Sequence, residues 1–411
     1  MENNERGKTI KTALAIEAHI LASQQNAQGV AILKTLAVNG FFGMAEEILH
    51  KMKRHVPRKQ APKACFLCED RFQVVNELVE EVLQQLKGYE HSDFLVGVKI
   101  PLAVEEREDE FKALFQVDYG EDMRNEFGRL VGRKIVAGTG KKVEHERPEI
   151  VVLVDPIMER VRLQINPLHI VGRYRKLVRN IPQSRWDCPD CQGKGCKKCG
   201  WTGRLYLESV SEIIAKPLVD AACGGDYSFH AAGREDIDVR MLGGGRPFLI
   251  EIVKPKRRFL DLEKLQTEVN TYANGKLEVA DLRFTDKRGI RELKAADSVQ
   301  KEYRVVVGFE KKIKISELRH LEILLRHAMV KQRTPIRVSH RRADLTREKY
   351  IYEIKAKKLS SRKAEMRIRC QGGLYVKELV TGDEGRTRPS VSEIFKNRAE
   401  PLELDVLNVL V

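Results

Sequence analysis

Four cysteines within twelve residues set the tightest condition on this chain. CPDCQGKGCKKC runs from Cys188 to Cys199 with the spacing C-x2-C-x4-C-x2-C. Each C-x-x-C pair forms a turn that aims two thiolates at one tetrahedral ion. The doubled pair therefore points to a structural zinc held by Cys188, Cys191, Cys196 and Cys199. Gly193 and Gly195 relieve backbone crowding between the pairs. Lys194, Lys197 and Lys198 offset the charge of four thiolates. The alternative is a reduced, metal-free cluster, because a four-residue spacer is short for wrapping one ion. Cys65 and Cys68 form a third pair that could replace one of the local ones, so six candidates for one ion leave the ligand set open. A closed site of four thiolates has no open position, so the metal is expected to be structural rather than catalytic. Cys223 and Cys370 stand alone and are expected as buried thiols.

The compartment bears on that reading. No run of about 18 apolar residues exists, so no membrane span is expected. The first residues, MENNERGKTIKTALAIEAHI, lack the apolar core and small-residue cleavage site of a secretory signal. A cytoplasmic location follows, and eight cysteines there argue for metal rather than disulfides. The net charge is +15 and is uneven. Residues 1–200 carry 32 Lys and Arg against 28 Asp and Glu, and residues 201–411 carry 42 against 31. A basic second half suits a polyanionic partner, nucleic acid being the usual one, against a plain solvated surface.

The pattern of apolar residues predicts a mixed α+β chain. Residues 1–63 read as a helical segment over 9–52 followed by a basic linker. A unit over 64–185 opens with a helix at Phe72–Leu86, a strand in FLVGVKIP and a helix near Glu108–Phe115. It closes with strands in IVVLVDP and RVRLQINPLHIVG around a turn at Asp155–Pro156. The cysteine knuckle occupies 186–204. Residues 205–411 alternate again: a helix near Ser209–Ala222, strands in PFLIEIV and YRVVVGFEKK, a helix near Ser316–His327, and strands in TPIRVS, KYIYEIKAKKL and EMRIRCQ. AGTGKK, Ala137–Lys142, has glycines too close together for a phosphate loop and reads as a hairpin turn.

The densest chemistry is FHAAGREDIDVRMLGGGRPFLIEI, Phe229–Ile252. Arg234, Glu235, Asp236, Asp238, Arg240 and Arg246 interleave between Gly233 and Gly243–Gly245. Glycines at both ends suggest a loop that approaches a ligand closely, against a charged hairpin of solvated ion pairs.

GREDIDVRMLGGGRPF resembles the catalytic motif of the THUMP-containing tRNA pseudouridine synthases of archaea and eukaryotes. KEYRVVVGFEKK, Lys301–Lys312, is similar to the family's tyrosine motif. GGLYVKELVTGDEGRTRP, Gly372–Pro389, is similar to its C-terminal motif. PLHIVGRYRKLVRNIPQSRW, Pro167–Trp186, resembles its junction between accessory and catalytic domains. The resemblance covers about residues 65–400. It implies a THUMP-containing RNA-binding domain over 64–185 and a pseudouridine synthase domain over 205–411, with a mixed, mostly antiparallel sheet and the active cleft across its middle. It implies Asp236 as the carboxylate that attacks the target nucleotide, on sugar or base. It implies Arg234 as the residue holding that nucleotide out of the stack, and Tyr303 as the ring that stacks on uracil. It implies Lys377 as the cation paired with Asp236, and Leu379 as an apolar wall of the pocket. Asp238, Arg240 and Arg246 match the motif as scaffold or phosphate contacts.

The resemblance also implies the substrate: uridine 54, uridine 55 or both in the T-loop of tRNA, with no catalytic cofactor, no small-molecule cosubstrate and no membrane. Phosphate contacts are expected at Arg173, Arg175, Lys176 and Arg179, against a solvated helix end. Eukaryotic members complete a zinc site with an extra C-x-x-C near the N-terminus. This sequence has no cysteine before Cys65, and its four at Cys188–Cys199 resemble the archaeal arrangement.

Overall fold

The computed structural model describes residues 68, 70–115, 122–295 and 300–410. The helices expected over 9–52, the basic linker and Cys65 lie outside them. The described residues form two compact units, the first ending at Asn166 and the second beginning at Pro167.

In the first unit a 3-10 turn, Arg71–Val74, leads into helix α1, Val75–Leu86. Val75, Leu78, Val79, Val82 and Leu86 recur at helical spacing, and all five are buried. Strand β1 (Asp93–Val98), helices α2 (Leu102–Phe115) and α3 (Met123–Thr139), and strands β2 (Lys142–Val143), β3 (Ile150–Asp155) and β4 (Arg160–Ile165) follow. The sheet order is β2-β1-β3-β4, with β1 parallel to both neighbours and β3–β4 an antiparallel hairpin. Ile150, Val152 and Val154 alternate along β3 and meet α1 and α3 through Phe94, Phe127, Val131 and Ile135. AGTGKK is not a hairpin turn. It is the end of α3, where left-handed Gly140 caps the helix through its N–H to the Val136 carbonyl.

The second unit begins with β5, Leu168–Lys176, and reaches α4, Val210–Ala222, after the cysteine segment. Strands β6 (Asp226–Ala231) and β7 (Arg240–Val253) precede α5 (Leu262–Ala273), β8 (Leu277–Thr285), α6 (Arg288–Ala295) and β9 (Gln300–Phe309). Helix α7 (Ile315–Leu325) leads to β10 (Ala328–Arg333), β11 (Thr346–Lys358) and β12 (Lys363–Gln371). Helix α8 (Val376–Thr381), β13 (Thr387–Arg388), α9 (Val391–Phe395) and β14 (Ala399–Val409) complete it. The strands form one sheet in the order β13-β10-β11-β12-β9-β14-β7-β5-β8, with β6 also on β7. Every pairing is antiparallel except β14–β7.

That parallel junction is short: only Arg240 and Met241 of β7 register with Asp405 and Val406 of β14. Beyond it β7 turns to β5 through Gly243–Gly245. Gly243 has φ +58°, and a Cβ there would sit 1.9 Å from the Leu407 carbonyl oxygen. Gly243, and likewise Gly245, whose Cβ would sit 2.9 Å from the Tyr174 carbonyl oxygen, is therefore demanded by the approach of a neighbouring strand. The segment TPIRVS also departs from expectation. After Pro335, which has no N–H to give a ladder, it winds into a 3-10 turn, Ile336–Arg341.

Candidate active site

The loop from Gly233 to Val239 joins β6 to β7 at the parallel junction, and a buried polar framework holds it from below. Glu235 points inward. Its carboxylate accepts hydrogen bonds from the Tyr174 hydroxyl at 3.0 and 2.9 Å. Arg246 lies beside it at 2.9 Å, an ion pair although not in hydrogen-bond alignment. Arg246 also donates to the Ala232 carbonyl at 2.6 Å. Gln183 donates to the Tyr174 hydroxyl (2.8 Å) and to the Gly233 carbonyl (3.0 Å). Lys176, fully buried, donates to the carbonyls of Ile181 (2.9 Å), Asp236 (3.2 Å) and Ile237 (3.2 Å). Burial pushes the Lys176 ammonium down to about 8, against the opposing pull of Glu235. Three buried side chains of β5 and the segment after it thus fix the backbone on either side of Asp236.

With Glu235 turned in, Asp236 turns out. Its carboxylate meets two cations: Arg337 Nη1 at 3.0 Å and Lys377 Nζ at 3.2 Å, both measured to Oδ2. Burial pushes the Asp236 carboxyl up, but Arg337 and then Lys377 outweigh it and hold the group below the usual carboxylate range. Both cations are themselves anchored. Lys377 Nζ donates to Asp238 Oδ1 and Oδ2 at 2.8 Å each. Arg337 Nε donates to Glu378 at 2.6 Å, and Glu378 is buried. The Arg337 guanidinium also lies 5.9 Å from the Tyr375 ring centroid. Arg337 comes from the 3-10 turn after β10, and Lys377 and Glu378 come from α8.

These groups line a cleft of about 510 Å³. Tyr303 of β9 lines it on the far side of β14, where it registers with Val406. Arg234 lines it too, with its guanidinium 5.2 Å from the ring centroid of Trp186. Leu379 does not line it: this residue is fully buried in the core, two positions beyond Lys377 on α8 and turned inward. Leu374, Val376, Leu404 and Val406 supply the apolar wall instead. Arg342, Arg347 and Lys349 also line the cleft, and none of them has a carboxylate partner among the described residues. A wall of uncompensated cations suits a polyanion.

The four cysteines of residues 188–199 converge. Their sulfurs lie within 4.8 Å of one another, with Cys188–Cys196 and Cys191–Cys199 at 3.9 Å and Cys196–Cys199 at 3.7 Å. A tetrahedron with zinc–sulfur bonds of about 2.3 Å has edges of about 3.8 Å. The short spacer closes because Gly195 has φ +93°, with the Trp201 carbonyl oxygen 2.8 Å from where its Cβ would be. Backbone N–H groups of Gly195, Cys196 and Gly203 point at the sulfurs of Cys191 and Cys199, each at 3.2 Å. The Cys196 N–H, and behind it that of Gly203, holds the Cys199 thiol down at about 6 despite burial. The residues present fit a tetrahedral metal ion. Cys68 is a buried thiol packed with Ile100 and Met123. Cys370 is buried as expected, whereas Cys223 caps α4 and is exposed.

Two family models match this chain. Residues 169–410 match "Pus10, C-terminal", and residues 78–155 match "Pus10 THUMP domain, archaeal". The chain belongs to the Pus10 family. The tRNA pseudouridine synthase Pus10 of Methanothrix thermoacetophila is 40% identical, over 100% of this chain and 88% of that protein. Its counterpart in Methanocaldococcus jannaschii is 42% identical, over 99% of this chain and 88% of that protein. Among solved structures, a Cbf5-Nop10-Gar1 complex matches 48% of this chain and 44% of that chain, with 14% identity and a TM-score of 0.31, too slight a likeness to bear on function.

Within this Pus10 chain the cations expected to touch phosphate are otherwise engaged. Arg173, Arg175 and Lys176 lie on strand β5 and Arg179 just beyond it, not on a helix end. Arg173 donates to the carbonyls of Gly244, Gly245 and Val409. Arg175 pairs with Glu278. Arg179 and Arg240 converge on Asp405, which is fully buried and also accepts from Arg304. These are scaffold contacts at the parallel junction. Sequence reasoning missed Arg337 and Glu378, and it gave Lys176 a phosphate rather than a place under the Asp236 loop. Glu378 lies within a recognised segment and Arg337 within TPIRVS, but nothing local marks a contact made across a hundred residues. No helix among the described residues of this family member is long and apolar enough to cross a membrane.

Proposed function

We propose that this chain isomerises uridine to pseudouridine in tRNA, at T-loop position 54, position 55 or both, with Asp236 as the nucleophile. The observation that carries this reading is the Asp236 carboxylate held ionised between Arg337 and Lys377 in a cleft walled by cations. The reaction breaks the N1–C1′ bond of uridine, turns the uracil and forms a C5–C1′ bond. The C5 proton leaves and N1 regains one, so the change is an isomerisation with no net redox step and needs no electron carrier. Attack on the sugar and attack on the base both require a carboxylate anion, which the paired cations maintain at neutral pH.

The target uridine lies inside folded RNA and must be extruded before reaction. Tyr303 provides a ring at the cleft for the extruded base to stack upon. Arg234, braced on Trp186, fills the space the base leaves. Arg342, Arg347 and Lys349 take neighbouring phosphates. Cys188, Cys191, Cys196 and Cys199 hold a zinc ion whose closed coordination gives it a structural role. The T-loop assignment is tested by treating an unmodified tRNA transcript with the protein and mapping carbodiimide-blocked stops in primer extension. A stop at position 54, position 55 or both is expected. Absence of a stop at both positions contradicts the assignment.

A further inference from the structure

Single exposed apolar side chains are ordinary on a folded protein, so several of them close together on one segment carry more weight. Trp201 is 75% exposed, and it follows directly on the cysteine knuckle. Two more apolar side chains follow on the same segment, Leu205 at 52% and Leu207 at 74%. Tryptophan offers a partner the largest apolar ring face of any side chain.

The backbone beneath Trp201 is tightly held. Its N–H donates to the Cys196 carbonyl at 2.9 Å, and its carbonyl packs on Gly195. The residue adopts a left-handed φ of 64°, which projects it from the end of the knuckle at some conformational cost. The backbone that presents the ring is therefore fixed in place. Lys194 and Lys197, on the same knuckle, are exposed and form no ion pair among the described residues, whereas Lys198 is paired with Asp190 at 2.7 Å. An exposed aromatic face on a segment that also carries ammonium groups without carboxylate partners is the chemistry that binds unpaired nucleotides: the ring takes a base and the cations take the backbone.

The platform is also continuous with the cleft. The knuckle returns as a narrow ribbon in which Asp187 bridges Arg204. In that ribbon Cys188 donates to the Gly203 carbonyl at 2.8 Å, and Leu205 donates to the Trp186 carbonyl at 3.0 Å. Trp186 lines the cleft and carries Arg234. One rigid ribbon therefore joins the wall of the active cleft to Trp201.

We propose that the cysteine knuckle is a second RNA-binding site, in which an unpaired base of the substrate stacks on Trp201 and its phosphates meet Lys194 and Lys197. This rests on the reading of the chain as an enzyme acting on RNA, and extends it to a contact outside the catalytic cleft. Its function is to raise affinity for folded RNA that offers an unpaired nucleotide beyond the target uridine. The chemical step at Asp236 does not involve it.

The chain has two tryptophans, so the full-length Trp186→Phe protein reports on Trp201 alone. Titration with an unmodified tRNA transcript should quench that fluorescence, and a fully paired RNA duplex of equal length should not. In the otherwise native chain, Trp201→Ala should weaken transcript binding about 5- to 150-fold, the range expected for losing one stacked base. Saturating kcat and zinc content should not change, and Trp201→Phe should recover most of the affinity. No quench at saturating transcript, equal quench by the duplex, or Trp201→Ala binding within about twofold of native overturns the proposal. If the transcript quenches Trp201 in the Trp186→Phe protein but the native chain forms no pseudouridine, the second site stands and the catalytic reading falls.

Discussion

Arg337 Nη1 lies 3.0 Å from Asp236 Oδ2, and the other edge of the same guanidinium is fixed by Glu378. The two residues are a hundred positions apart, yet the arginine reaches the carboxylate already aimed. A planar guanidinium held at both edges loses little freedom in meeting the anion, unlike a free lysine. The Asp236 carboxylate is therefore charged and oriented before any substrate arrives.

Replacing Arg337 by Gln removes the nearer of the two cations and leaves Glu378 buried without its partner. The Asp236 carboxyl should rise towards its ordinary range, so the acid limb of kcat/KM should move to higher pH. At neutral pH the carboxyl stays ionised, and kcat should fall about tenfold because Asp236 loses the guanidinium that orients it. The sign follows from linkage. The native carboxyl is held low, so its contribution to stability is fully present above the unfolded value. It is lost only as pH falls through the folded value. A pH–rate profile unchanged by the substitution would show that Arg337 does not set the charge on Asp236.

Arg246 and Glu235 form a buried pair under the Gly233–Val239 loop. Arg246→Met leaves the Glu235 carboxylate with Tyr174 and a Lys176 ammonium 4.0 Å away. Unfolding free energy in urea should drop by about 3–5 kcal/mol. Adding Glu235→Leu should recover part of that loss, because the second change removes the uncompensated charge. A single variant as stable as the native chain would mean that the pair does not hold the loop.

The knuckle should carry one zinc per chain by atomic absorption, released stoichiometrically when its thiols are modified. Cys196→Ser removes one of the four converging sulfurs and should lower bound zinc at equal chelator concentration. Native protein purified in zinc-containing buffer with no bound metal would exclude the structural ion.

Much of this was legible because some signals are local. The C-x-x-C pairs and the alternation of Ile150, Val152 and Val154 depend only on neighbours in sequence. The charged stretch around Asp236 announced chemistry, but its internal division did not show. Glu235 and Asp236 are adjacent acids, and only the position of Tyr174 and Arg246 decides which turns inward. TPIRVS read as a strand because Ile336 and Val338 alternate, yet Pro335 cannot join a ladder, and the resulting 3-10 turn is what carries Arg337 to the carboxylate. Gly243–Gly245 read as ligand-facing because glycine permits any close approach; here the backbone of β14 approaches Gly243 and that of β5 approaches Gly245. Arg173 and Arg179 looked free on a basic stretch, but their acceptors lie on β7 and β14. Leu379 sits on the inward face of a helix too short for its periodicity to be read.

The most direct measurement is release of tritium from C5 of uridine in a tRNA transcript under single-turnover conditions, comparing the native chain with Asp236→Asn. The native chain should release tritium as the C5–C1′ bond forms. The variant should release none above background while binding the transcript with a dissociation constant within about twofold of native. Release by Asp236→Asn at a rate near that of the native chain would contradict Asp236 as the nucleophile.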